Sequence, residues 1–239
     1  MPHKMLTLQQ AAKHIRIPER ELFHLVQRDE VPFQRRGDEV IFEKRLLNEW
    51  SQRRIMGLPT KSLVEHHRDS VADRTSTAAE DALVGRLLRP EWISPALASR
   101  TKPAVLRDMV ALAMTTGMLY DDTSLLRELE ARESSASTAV DGGVAFLHAR
   151  YHDPYQASDS FVVLGKTTQN IYFGAQDGGE TDLFFLICCT DDRLHLHTLA
   201  RLCMLAQRDR LLTDLRAATT SEDLYSILDH AEHELLRTL

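Results

Sequence analysis

Apolar positions fall into three regimes along the chain. From Thr7 to Ile15, Leu8, Ala11, Ala12 and Ile15 recur at helical intervals, and Thr7 with Gln10 reads as a capping box. After a break at Arg16-Ile17, Pro18 suits the first position of a second helix reaching about Arg28, with Leu22, Leu25 and Val26 on its apolar side. The stretch 31–42, with Gly37-Asp38 at its middle, predicts a hairpin, and 44–54 a third helix carrying Leu46, Leu47 and Trp50. Periodicity then fades over 58–80, where Pro59, His66, His67 and the polar run 69–77 predict a linker. The paired histidines there read as solvated residues in preference to metal ligands.

Richer patterning follows. Ala82, Leu83, Leu87 and Leu88 predict a short helix ending before Pro90, and Trp92-Ile93 the start of a strand. Thr101 is placed to cap a helix over 103–116 that Gly117 stops. Asp121 or Asp122 would cap another through Leu125, Leu126 and Leu129. Strands are expected at 161–164, 171–173 and 182–189, the last almost continuously apolar and therefore central. Amphipathic helices are expected at 198–211 and 221–235. Interleaving of this kind predicts an α/β layered domain.

Composition narrows the classes. The longest strongly apolar stretch, 183–189, is too short to span a bilayer, and residues 1–7 show no apolar leader, so a cytoplasmic location without membrane insertion is expected. Cys188, Cys189 and Cys203 make no disulfide framework and read as small buried hydrophobes. The net charge of −6 is uneven. Residues 1–57 hold eleven Lys/Arg against eight Asp/Glu, a net of +3, which leaves −9 on the remainder and suggests a different partner for each part.

Helix, turn, helix, hairpin and helix within 60 residues is a winged helix-turn-helix order. The segments Leu6-Thr-Leu-Gln-Gln-Ala-Ala-Lys-His-Ile15, Val31-Pro-Phe-Gln-Arg-Arg-Gly-Asp-Glu-Val-Ile-Phe42 and Leu47-Asn-Glu-Trp50 resemble the excisionase/MerR-like family over about residues 5–54. That resemblance implies DNA binding, with the second helix in the major groove and the wing on the backbone. Arg20, His24, Gln27 and Arg28 are the candidate groove contacts, and Arg35 and Arg36 the wing contacts. The competing reading is a solvated face on which Glu19, Glu21, Asp29 and Glu30 balance these cations.

The segment richest in chemistry is Asp141-Gly-Gly-Val-Ala-Phe-Leu-His-Ala-Arg150, a small-residue loop and apolar run ending abruptly at a histidine. Gly143-Val-Ala-Phe-Leu-His148 resembles the Gly-x-Ala-x-Pro-His segment around the phosphorylated histidine of type-2 enzyme IIA domains of the phosphotransferase system, the fructose/mannitol/nitrogen-regulatory group. Arg132-Glu133, Ser137-Thr138, the helix start at Leu194-His-Leu-His-Thr-Leu and the stretch 214–225 extend the likeness over roughly 81–236. The implied architecture is a layered domain at 81–239 with a mixed central sheet flanked by helices, behind a winged helix-turn-helix unit at 1–57 and the linker at 58–80.

The same resemblance implies that His148 accepts a phosphoryl group from a histidine phosphocarrier protein. A neutral imidazole nitrogen is available near neutral pH, and the transferring group needs donors around its three oxygens. His195 would hydrogen-bond those oxygens, Arg132 add a fixed positive charge, and Ser137 or Thr138 supply hydroxyls. No cofactor and no metal is implied. For Arg132 the rival is a solvated ion pair on a helix bearing Glu128, Glu130 and Glu133. For His195 the rival is metal chelation with His197 and His148, for which no carboxylate or cysteine completes a set. The imidazole at 148 is expected to stand open to solvent.

Leu147 departs from the family's proline, which would fix the backbone before the histidine. Three functions stay open on these grounds: a phosphorylation-dependent DNA-binding regulator, a sugar-specific phosphocarrier feeding a separate membrane permease, and an enzyme IIA-like binding protein without phosphotransfer. A homodimer is compatible with the first.

Overall fold

A computed structural model describes residues 4–65, 83–149 and 157–238. His66, His67 and His152 lie outside the described residues.

The first elements are β1 (Met5–Thr7), α1 (Leu8–Ile15), α2 (Glu19–Gln27), β2 (Gln34–Arg36), β3 (Glu39–Glu43) and α3 (Lys44–Met56). Thr7 caps α1 with the reciprocal Gln10 bond that the sequence predicts. Arg16 then takes a left-handed conformation, φ 56°, which turns the chain into α2. The hairpin forms across Gly37, whose φ of 62° is the left-handed value such a turn needs. A strand the periodicity did not show, β1, pairs antiparallel with β3 and makes a three-stranded sheet of order β1-β3-β2. Leu6, Ala11, Ile15, Leu22, Leu25, Phe42 and Leu47 fill a small core of their own. Trp50 Nε1 donates to Glu30 O at 2.7 Å, and Arg54 pairs with Glu21, which fastens α3 to α2.

The stretch read as a linker is in part ordered structure. Residues 60–65 form a helix, α4, whose Leu63 is fully buried in the larger core together with Ile55 of α3. One apolar side chain per turn was too sparse a signal to mark it.

The remaining elements are α5 (Leu83–Leu87), a 3-10 turn at Pro90–Trp92, β4 (Ile93–Leu97), α6 (Lys102–Met114), α7 (Asp122–Ser135), β5 (Ala139–Val140), β6 (Val144–Leu147), β7 (Phe161–Ile171), β8 (Thr181–Cys188), α8 (Asp192–Ala206), α9 (Asp209–Ala217) and α10 (Ser221–Thr238). The five-stranded sheet runs β4-β7-β8-β6-β5. It is mixed: β4 with β7 and β6 with β8 are parallel, while β7 with β8 and β5 with β6 are antiparallel. Alternate residues face opposite layers. Val144 and Phe146 of β6, with Leu183, Phe185 and Ile187 of β8, join residues of α8, α9 and α10. Ala145, Leu147, Phe184 and Leu186 join residues of α6 and α7 on the other face.

Two expected boundaries shift. The strands expected at 161–164 and 171–173 are one strand, β7, with a register shift between Lys166 and Ile171; Phe173 lies beyond it. The helix expected at 198–211 starts at Asp192, because the Asp191 carboxylate accepts from the amides of Arg193 and Leu194. It ends at Ala206, and α9 begins anew at Asp209. Cys189 and Cys203 are buried and Cys188 is half-buried. Burial pushes all three thiols upward, so none is a thiolate at neutral pH.

Candidate functional site

The Asp141–Gly143 turn opens the approach to β6. Arg216 clamps it, donating from Nη2 to Gly142 O at 2.6 Å and gripping the Asp182 carboxylate from Nε and Nη2 at 2.8 Å. Gly143 has φ 79°, and a Cβ there would stand 2.6 Å from Arg216 Nη2 and 3.1 Å from Glu180 O. Backbone freedom and lack of a side chain are both required at that point.

The strand then runs straight to the histidine. β6 lies parallel to β8, with Leu147 opposite Leu186, so both strands end at the same edge of the sheet. Ligand sites of α/β sheets gather at such carboxyl ends. His148 follows β6 directly, and the side-chain alternation that sends Val144 and Phe146 toward α8 carries on to it. His195 is the fourth residue of α8, which follows β8. The two rings meet edge to face with centroids 5.2 Å apart. Because α8 is already helical at 195, His195 and His197 are not on one extended face. Among the described residues no three His, Cys, Asp or Glu side chains gather as metal ligands.

Arg132, in the last turn of α7, completes the group. Its Nε donates to His148 Nε2 at 3.3 Å and its Nη1 to Ala136 O at 2.6 Å. The guanidinium is fully buried, which overturns the alternative of a solvated surface pair. His148 Nδ1 lies 2.7 Å from Phe146 O. A carbonyl only accepts, so Nδ1 carries the proton and the Nε2 lone pair points at Arg132.

The expected hydroxyls are committed elsewhere. Ser137 Oγ donates to Phe173 O at 3.1 Å, and Thr138 Oγ1 donates to the Glu133 carboxylate. Each hydroxyl has one proton, so neither serves His148 as arranged. Glu133, half of the Arg132-Glu133 pair in the sequence, instead organises this segment. It accepts from Thr138 N at 3.1 Å and pairs with Lys102 at 2.7 Å, while Lys102 also reaches Phe173 O and the face of its ring. Lys102 opens α6 some thirty residues upstream, and nothing in the sequence spacing pointed to it.

The largest correction concerns exposure. His148, His195 and Arg132 are each 0% exposed, where the histidine was expected in open solvent. Elements of the amino-terminal part pack against the helices that carry Arg132 and His195. α3 packs along α8, and Glu49 of α3 accepts from Ser135 Oγ at 3.3 Å, one helical turn from Arg132. Lys44 and His14 both approach Asp192 at the start of α8, His14 at 4.0 Å. Burial holds the His14 imidazole below its ordinary value, and the ring bonds Asn48 Oδ1 at 2.7 Å.

The candidate nucleic-acid residues lie elsewhere and are all exposed. Arg20, His24, Gln27 and Arg28 line one face of α2, and Arg35 and Arg36 lie on the hairpin. Arg28 pairs with Glu30 at 3.2 Å, and both side chains stay largely solvated, so the pair is weak.

Comparison with known proteins bears on residues 86–231, which match the family model described as phosphoenolpyruvate-dependent sugar phosphotransferase system, EIIA 2. The fructose-specific EIIABC component of Bacillus subtilis is 26% identical over 148 residues, covering 61% of this chain and 23% of that protein. The nitrogen regulatory protein of Klebsiella oxytoca is 33% identical over 103 residues, covering 42% of this chain and 62% of that one. The chain thus spans less than two thirds of either relative. The fold matches the nitrogen regulatory protein IIA-Ntr of Neisseria meningitidis at a TM-score of 0.56 and 21% identity, over 61% of this chain and 99% of that one. The mannitol IIA of Escherichia coli follows at 0.53 and 16%, over 59% and 98%.

Proposed function

The chain belongs to the phosphoenolpyruvate-dependent sugar phosphotransferase system EIIA 2 family, and from that premise we propose that it is a phosphorylation-dependent regulator whose acceptor is His148 Nε2. The observation that carries this reading is the Nδ1 contact to Phe146 O. It fixes the tautomer, so Nε2 enters the reaction with its lone pair free of a proton.

In the transfer, Nε2 attacks the phosphorus of a phosphorylated histidine phosphocarrier protein. The Nε2–P bond forms as the carrier's N–P bond breaks, and the electron pair returns to the carrier's imidazole. No proton leaves Nε2, and Nδ1–H stays on Phe146. Arg132 shifts its Nε–H from the nitrogen to an arriving oxygen, and His195 donates to another; both act as pre-placed electrostatic partners. Leu147 replaces a proline's rigidity by strand pairing with Leu186 and full burial.

The test is mass mapping after incubation with the phosphorylated carrier. An acid-labile phosphoryl group should sit on residue 148 and be absent from His148→Ala. Label on another residue, or label surviving that substitution, overturns the reading.

The amino-terminal part is proposed as a winged helix-turn-helix DNA-binding unit of residues 1–57. Its support is the element order with the exposed cations of α2 and the hairpin. In gel-shift titrations the complex should weaken as salt rises, and replacing Arg35 and Arg36 by Ala should lower the log–log salt slope by about two. No complex at low salt would favour the transport reading, in which the domain feeds a separate permease.

A further inference from the structure

We propose that the amino-terminal unit is an intramolecular cap on His148, so that docking of this unit and access of the phosphate donor are mutually exclusive. The inference rests on the acceptor reading above.

Three observations point to it. The acceptor, its guanidinium and the second imidazole are all sealed, although a phosphoryl donor must bring its own phosphorus within bonding reach of Nε2. The helices that carry two of them are packed by α3: it lies along α8, which carries His195, and through Glu49 it reaches the turn of α7 after Arg132. Lastly, α3 buries polar side chains on the side away from its own small core. Glu49 and Gln52, on the side of the helix away from Leu47, are 4% and 1% exposed, while Leu47 faces the small core and Ile55 the large one. A polar seam of this kind is typical of contacts between units that separate and rejoin, since each side remains soluble when apart.

The chemistry makes the cap sensitive to the state of the site. A phosphoryl group on Nε2 brings about two negative charges to a buried site, and the buried Glu49 carboxylate meets the same last turn of α7 that carries Arg132, which touches Nε2. Like charges in a dry site repel strongly, and the added group needs room. The docked form therefore belongs to the unphosphorylated chain and the open form to the phosphorylated one. The cations of α2 and the hairpin are exposed in the docked form. Undocking would change how this unit is tethered and leave its proposed DNA face unaltered.

The experiment uses the full chain with Glu49→Cys and Ser135→Cys, positions whose native side chains touch, joined by a short bis-methanethiosulfonate that spans the atoms the shorter cysteine lacks, and released by reductant. Two rates are read: carbethoxylation of His148 by diethylpyrocarbonate, mapped by mass, and phosphoryl label from the carrier. Both should be at least about ten-fold slower in the joined form than in the reduced form, and Lys44→Glu, which repels Asp192, should speed both above the parent chain. Equal carbethoxylation of His148 in joined and reduced chains overturns the cap. Lock-dependent carbethoxylation with no phosphoryl label in any form upholds the cap and removes the acceptor role. Label that is indifferent to the lock does the reverse.

Discussion

Replacing Glu232 by Ala is expected to lower the stability of the chain by about 3–5 kcal/mol, the cost of leaving a buried charge without its partner. Glu232 and Arg201 are both fully buried and meet at 2.8 Å across α10 and α8. The carboxylate also accepts from the amides of Leu83, Val84 and Gly85 at 2.9–3.1 Å, so it caps the first turn of α5 from outside. Burial pulls the Arg201 guanidinium below its ordinary value, and Glu232 is the group that opposes this. Without it the guanidinium stays in a dry site with its counter-charge gone, and the α5 amides lose their acceptor. For a chain of this length the loss corresponds to roughly 10 °C in melting temperature. Urea denaturation of Glu232→Ala decides it, and a midpoint unchanged from the parent would show that the pair contributes nothing. Replacing Arg201 and Glu232 together by Met should recover much of the loss, because the desolvation of both charges is then removed.

Arg132→Lys is the second large effect, and it falls on chemistry. The guanidinium spans two contacts at once, Nη1 on Ala136 O and Nε on His148 Nε2. A lysine keeps the charge but ends in a single nitrogen that cannot hold both directions. With the acceptor reading correct, single-turnover transfer from the phosphorylated carrier should slow by about 10²–10³-fold, the usual loss on removing one pre-placed donor from a developing anion. Binding of the carrier should change little, since Arg132 is buried. A variant that transfers at the parent rate would reduce Arg132 to a positioning group for the α7 terminus.

What the sequence disclosed and what it withheld separate along physical lines. Local rules worked where the signal is local: the Thr7–Gln10 box, the Gly37 turn and the caps at Thr101 and Asp121 need only a few neighbouring residues. Strand β6 escaped because four buried apolar residues after two glycines carry no period. The start of α8 escaped the periodicity because its first turns are polar, and the cap at Asp191 outweighs that, close to the helix start that the resemblance puts at Leu194. For the candidate site, Arg132, His148 and His195 come together as the resemblance implied, while Ser137 and Thr138 turn to Phe173 and Glu133. The exposure of His148 was beyond any reading of residues near it. The proposed cap lies about one hundred positions earlier, and the polar residues of α3 look from sequence like a solvated face.

The parallel run of β6 and β8 has a further consequence. The spacing of the two imidazoles is set by a hydrogen-bonded ladder and one capped helix, so it does not depend on the long connections that leave the same sheet. Substitutions in those connections therefore leave the spacing of the two rings unchanged. The pair of imidazoles is insulated from such change.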